Sequence, residues 1–215
     1  MVRIKVVDLS MEIKTNTPVF QIYPISIVHT WTNIREHGFY SNLLMLVEHT
    51  GTHVDAPAHV IEGGETIDSI PLERFIGDGV VVDASALPPK ASITRALLEE
   101  ALRGHGIDRR WVVLVMTGYD SKAGTPQWFG HPGLDREAAD YLVELGVNAI
   151  GIDAPSVDHP PYPAHERVLR RGVLIYENLT NLRPLIGKRF KFIGVPLRIA
   201  KGSASPVRAM ALFEE

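Results

Sequence analysis

Residues 135–153, DREAADYLVELGVNAIGID, decide the fold class. Asp135 is a favourable helix N-cap, because its carboxylate can accept from the unpaired N–H groups of a first turn. Ala138, Leu142 and Leu145 follow at i, i+4 and i+7, so they fall on one stripe of that helix. Gly146 ends it, since glycine adopts the left-handed backbone of a helix C-terminus without steric cost. Ala149–Asp153 (AIGID) then forms a short apolar run of the kind that is buried on both faces of a sheet.

The same helix-then-strand grammar recurs outward from this segment. Thr94 is positioned to cap a helix running to about Arg103 and stopped by Gly104, with Ala96, Leu97 and Ala101 inward and Leu98 beside them. The run Trp111–Met116 (WVVLVM) comes next, and Gly79–Ala84 (GVVVDA) and Gly172–Tyr176 (GVLIY) are further buried-strand candidates. Leu43–Val47, Phe190–Ile199 and Val207–Phe213 complete the strands. Two helices among these strands imply an α/β fold with a mixed sheet, and 215 residues without a repeat or low-complexity linker fit a single domain over 1–215.

Composition narrows the function classes. Hydrophobic residues make up 45% and charged residues 22%, which are globular values. A net charge of −3 gives no global attraction to nucleic acid or an acidic membrane, so small molecules and copies of the chain itself are the expected partners. Cysteine is absent, which excludes disulfides and thiolate metal sites. Met1–Ser10 lacks the apolar core of a signal peptide and no run reaches the roughly 18 apolar residues of a membrane span, so a cytoplasmic location is expected.

The chemistry concentrates in His49-Thr-Gly-Thr-His53-Val-Asp55-Ala-Pro-Ala-His59. Nine histidines in 215 residues would place about half a histidine in an eleven-residue window by chance, and this one holds three. On a helix at about 100° per residue, Asp55 would point away from His49 and His53, and Gly51, Val54 and Pro57 disfavour a helix. In an extended chain the odd positions His49, His53 and Asp55 share one side, with Gly51 between them leaving room for an ion. Imidazole with carboxylate suits zinc, manganese or iron better than calcium or magnesium. His59 follows Pro57, which breaks the alternation, so spacing leaves it as a third ligand, a group supporting a ligand, or an acid/base.

Further ligands are expected where a loop leaves a buried strand, in Gly151-Ile-Asp-Ala-Pro-Ser-Val-Asp-His159 and beyond it. His165 and Glu177 are candidates, with His159 an alternative to His165. Glu177 is notable because it directly follows an apolar strand. His105 reads as a helix-end turn residue, His131 as a loop residue, and the Arg109-Arg110 and Arg170-Arg171 pairs as solvated charges.

The motifs HTGTHVDAPAH and GIDAPSVD, with His165 and Glu177 after them, resemble the cyclase-like metal-dependent hydrolases, the family of bacterial kynurenine formamidase and isatin hydrolase. The resemblance covers almost the whole chain. It implies a swivelling β/β/α domain, a dimer or larger homo-oligomer, and two divalent metal ions, zinc or manganese. His49, His53 and Asp55 would bind one ion, and Asp55 would reach a second held by His165 and Glu177. His59 would be the catalytic acid/base in hydrolysis of an aryl formamide or related cyclic amide by a metal-activated water. A glutamate at 177 favours the two-ion formamidase branch over the isatin-hydrolase branch, which is expected to carry glutamine and one ion. Formamidases present a tryptophan in a Pro-x-Trp segment, whereas this chain reads Pro18-Val19-Phe20. Phe20 is therefore a substrate-binding candidate, as are Trp128 and Phe129. The alternatives are a lactone or isatin-type ring hydrolase, and a metal- and ligand-binding sensor without turnover.

Overall fold

The computed structural model describes residues 3–214; Met1, Val2 and Glu215, at the two ends of the expected 1–215 domain, lie outside the described residues. Among the described residues, thirteen strands and four α-helices follow in chain order. They are β1 Ile4–Asp8, β2 Ile27–Thr32, α1 Ile34–His37, β3 Ser41–Met45, β4 His53–Asp55, β5 Ile76–Asp83, β6 Ser92–Ile93, α2 Arg95–Leu102 and β7 Trp111–Met116. After them come β8 Gly133–Leu134, α3 Arg136–Leu145, β9 Ala149–Ile152, α4 Pro163–Leu169, β10 Leu174–Glu177, β11 Phe190–Ile193, β12 Ala204–Pro206 and β13 Met210–Glu214.

Nine strands form one mixed sheet in the order β1-β13-β11-β5-β7-β9-β10-β4-β12. Its centre, β5-β7-β9-β10, is parallel, and both flanks are antiparallel. The central strands are mostly apolar because both faces are covered, with Asp78, Asp83 and Glu177 at or near their ends. Val113 and Val115 of β7 enter one core with Leu98 and Leu102 of α2, Ala138 and Leu142 of α3, and Val168 of α4. Val112, Leu114 and Met116 enter the opposite core, with Val54, Tyr176 and Phe192. The α/β class with a mixed sheet is as expected. No helix among the described residues is long and apolar enough to cross a membrane.

The helix starts match their sequence signals. Thr94 accepts from Leu97 N and Asp135 from Ala138 N, while Gly146 takes φ +69° and its N–H returns to Leu142 O and Val143 O. The inward face of α2 differs from expectation. Leu98 and Leu102, one turn apart, are buried, Leu97 and Ala101 flank them, and Ala96 is exposed.

Three other expectations are corrected. Leu43–Val47 does not run into the histidine motif: β3 pairs with β2 in a separate ribbon, and the chain turns at residues 48–52 before β4. Phe190–Ile199 stops as a strand at Ile193, and the tail splits into β12 and β13. A further helix, α4, follows the Pro160-Pro161-Tyr162-Pro163 stretch and carries His165.

Candidate metal centre

Register builds the centre. Strand β4 pairs antiparallel with β10, and His53 lies directly opposite Glu177. Opposed residues share a face, and so do His53 and Asp55 by the two-residue period. Val54 and Tyr176 point the other way, into core. The early motif and the late glutamate, 124 positions apart by number, thus meet at the carboxyl end of a parallel strand, the usual place for a site in such sheets.

The remaining groups arrive from turns and α4. Gly51 adopts φ +63°, and the turn it makes brings His49 Nδ1 to 2.9 Å from Asp55 Oδ1. The extended-chain argument holds for His53 and Asp55 only, because this turn interrupts the alternation before them. Gly51 serves the turn: its carbonyl accepts from His53 Nδ1 at 2.9 Å and from Asn178 Nδ2 at 3.0 Å. His165 Nε2 lies 3.2 Å from Glu177 Oε1, and its Nδ1 donates to Asp158 Oδ1 at 2.6 Å. His49, His53, Asp55, His165 and Glu177 are therefore brought together and are all buried.

Both His53 and His165 have Nδ1 tied to an acceptor, so each presents Nε2 inward, the arrangement that fixes the tautomer of a metal-ligating imidazole. His53 Nε2 stands 3.5 Å from Asp55 Oδ1 and 3.5 Å from Glu177 Oε2. Two ligand-like groups result, His53-Asp55-Glu177 and His49-Asp55-His59, each with donor atoms within 4.8 Å of one another and both including Asp55.

The donor set is electrostatically incomplete. Asp55 is 0% exposed, yet neither carboxylate oxygen has a hydrogen-bond partner, and His53 Nε2 has none. His49 Nδ1 is close to Asp55 without making a hydrogen bond. Burying an uncompensated carboxylate costs several kcal/mol, so the centre calls for positive charge. The imidazole ring responds: burial alone would lower the pKa of His53, but the charge of Asp55 and the contact with Glu177 raise it to about 9. The same neighbours act in reverse on the carboxyl groups. Despite burial, His53 and His49 hold Asp55 below the usual carboxylate range, and His165 and His53 hold Glu177 low. Divalent cations fit a set of nitrogen and carboxylate donors of this kind.

His59 stands on the short turn Pro57–His59, its ring 4.3 Å from that of His49 and 6.1 Å from that of His165. It lines a cavity over the centre together with Phe20, Tyr23, Ser156 and Tyr162. Burial, reinforced by His49 and His165, lowers its pKa.

Other candidates lie elsewhere. His159 is stacked on His131, and its Nε2 donates to the His131 carbonyl at 2.7 Å, so it is directed away from the carboxylates. His131 lies in a loop, as expected, and is buried there. Trp128, expected over the pocket, is instead buried beneath Phe129 and lines neither neighbouring cavity, because its short helical turn points it inward. Phe129 meets Phe20 edge-on at 5.5 Å.

Three residues were missed. Asp158 accepts from Ala164 N, His165 N and His165 Nδ1, so it both caps α4 and orients the imidazole. Its signal was its place at the end of GIDAPSVD. Asn178, at φ +57°, locks the Gly51 turn to β10, and Tyr23 stacks flat on His49 at 5.2 Å. Neither contact has a sequence signature, because both join segments distant in the chain.

The chain is 32% identical over 225 residues to the kynurenine formamidase of Salinibacter ruber, an alignment covering 95% of each protein. It is 32% identical over 242 residues to the isatin hydrolase of Roseibium aggregatum, covering 97% of this chain and 92% of that one. An isatin hydrolase solved with the product analogue thioisatinate matches with a TM-score of 0.91 at 28% identity, over 99% of this chain and 93% of the other. A family model described as "Putative cyclase" matches residues 7–159, a span that contains the whole first motif and runs to the loop that positions His165. The chain belongs to the cyclase family.

Proposed function

We propose that the protein is a metal-dependent hydrolase of non-peptide C–N bonds, acting on an aryl formamide or a related cyclic amide. His49, His53, Asp55, His165 and Glu177 hold two divalent ions, zinc foremost and manganese second, and His59 is the acid/base. The observation that carries this reading is the bare carboxylate of Asp55 beside the unpartnered His53 Nε2, both fully inside the protein. The names of the relatives, one a formamidase and one an isatin hydrolase, agree with it.

Divalent ions in such a site supply a water of pKa about 7 and positive charge opposite a carbonyl oxygen that becomes negative. The chain's own groups do the rest. Asp158 and the Gly51 carbonyl hold the His165 and His53 rings in place. His59, kept neutral by its lowered pKa, takes a proton from the attacking water and returns it to the departing nitrogen, which is otherwise a very poor leaving group. Tyr23, Phe20 and Tyr162 wall the cavity.

Purified protein loaded with zinc or manganese is expected to hydrolyse members of a panel of aryl formamides and cyclic amides, and to stop on chelation. His59→Ala should keep its metal and lose about 10²–10⁴ in kcat. Loss of metal in that variant would make His59 a ligand instead. Inactivity across the panel with tight binding of one compound would make the protein a sensor.

The protein assembles with a second copy of itself through the β2–β3 ribbon. A lone two-stranded ribbon is marginal in water, and here Trp31 is 68% and Leu44 56% exposed, with Phe39, Leu43 and Met45 also bare. Ile22, 79% exposed, lines the cavity five residues before β2 begins, so a neighbour that also covered it would edge the site.

A further inference from the structure

The segment before β2 is a strap with pinned feet. Thr17 and Ser26, 2% and 0% exposed, close it: Thr17 N donates to Ser26 Oγ at 2.9 Å, Asn16 N to Ser26 O at 3.0 Å, and Ser26 Oγ donates onward to Lys14 O at 2.8 Å. The base packs on the Gly51 turn, where an added Cβ would meet Ile13 at 3.3 Å and Thr17 at 3.9 Å. Residues 18–25 run between the feet, and Phe20, Ile22 and Tyr23 among them line the cavity over the metal centre.

The tip is held differently. Its hydrogen bond from Tyr23 N to Phe20 O closes a turn within the strap, and among the described residues no hydrogen bond ties 18–25 to chain beyond the strap. None of these residues joins either core. Ring contacts hold the tip instead: Phe20 meets Phe129 edge-on at 5.5 Å, and Tyr23 lies on His49 at 5.2 Å with 3° between the planes. Segments with so few ties open at little cost in free energy.

His49 depends on the same stack. His53 and His165 are oriented by hydrogen bonds at Nδ1, to Gly51 O and Asp158 Oδ1. His49 instead turns Nδ1 toward Asp55, and among the described residues nothing hydrogen-bonds its Nε2. Of the rings around it, His53 stands edge-on at 5.0 Å and His59 is tilted by 48°, whereas Tyr23 lies flat. An offset stack favours one plane for the imidazole. It also responds to what that ring carries, because an imidazole that ligates a cation is electron-poor and the electron-rich face of a phenol attracts it more strongly.

We propose that Tyr23 is a positioning residue for the metal ligand His49, and that through their stack metal occupancy and closure of the 18–25 strap stabilise each other. The coupling is reciprocal by linkage and rests on the reading of His49 as a ligand. Metal loading then also completes the cavity wall, since the same strap carries Phe20.

Zinc titration of metal-free wild type, Tyr23→Phe and Tyr23→Leu tests this, together with chymotrypsin digestion with and without zinc. Tyr23→Phe keeps a ring and should bind zinc as the wild type does. Tyr23→Leu should bind at least one ion about fivefold more weakly, the scale of one aromatic pair. Its metal-free form should melt as the wild type does, because the strap joins neither core, which separates lost positioning from lost folding. Chymotrypsin reads the strap at the Phe20-Gln21 bond; position 23 precedes Pro24, a bond it leaves intact, so the substitutions do not change the cut sites. Zinc should slow this cut in wild type and Tyr23→Phe and leave it unchanged in Tyr23→Leu. Equal zinc affinity in all three proteins overturns the inference, and so does a wild-type cut that zinc does not slow. The second outcome needs no variant, so it decides the matter even if Tyr23→Leu fails to fold. A wild type that binds no zinc overturns the metal reading itself, and this inference with it.

Discussion

His131 illustrates how a single buried side chain sets a pH limit. Burial, opposed by its hydrogen bond to Pro132 O, lowers its pKa from 6.5 to about 4. Between those values the unfolded chain binds a proton that the folded chain refuses. The stability linked to His131 is therefore fully present above pH 6.5 and is lost as pH falls through 4, by at most about 3 kcal/mol. Denaturant titrations of wild type and His131→Gln from pH 7 to 4 should show the wild-type advantage shrinking over that window; a constant difference would contradict the assignment. At this scale the sequence was legible where a residue's neighbours are local. His49, His53 and Asp55 stood out by spacing, whereas the burial of His131 depends on His159 and Tyr119, which packing alone brings to it.

Helix α4 shows the same division among elements. It is seven residues long and starts from Tyr162 in a left-handed conformation with no side-chain cap of its own. Its first-turn amides are instead satisfied by Asp158, several residues upstream and 1% exposed. Local propensity marks α2 and α3, which carry Thr94 and Asp135 as caps, but it could not mark a helix whose cap is tertiary. Asp158→Asn replaces one acceptor oxygen by a donor facing N–H groups. It should cost about 1–3 kcal/mol of stability and, because His165 loses its orienting partner, weaken metal binding about 10–100-fold. Metal titration of the purified variant reads this directly, and unchanged affinity with lowered stability would reduce Asp158 to a helix cap.

Across the whole molecule, the sheet order explains why distant motifs share one centre. The buried central strands were legible from apolar runs in β5, β7, β9 and β10, and their parallel pairing comes from the structure. The addition of β4 to β10 was not, since a three-residue strand carries no pairing signal, and the turn at Gly51 hid its start. The β2–β3 ribbon was legible only in part, as Leu43–Val47, because its apolar residues, Trp31, Leu43 and Leu44 among them, stay exposed and join neither core. The proposed self-association through this ribbon predicts an oligomer for the wild type and a monomer for Leu44→Glu by light scattering; a wild type that is monomeric at high concentration would contradict the ribbon's role. The central claim, that Asp55 is the carboxylate shared by two ions, is met most directly by metal analysis of wild type and Asp55→Asn purified alike. Two divalent ions per chain in the wild type and near none in the variant is the expected result. Equal metal content in the two proteins, or a metal-free wild type with full hydrolytic activity, would contradict it.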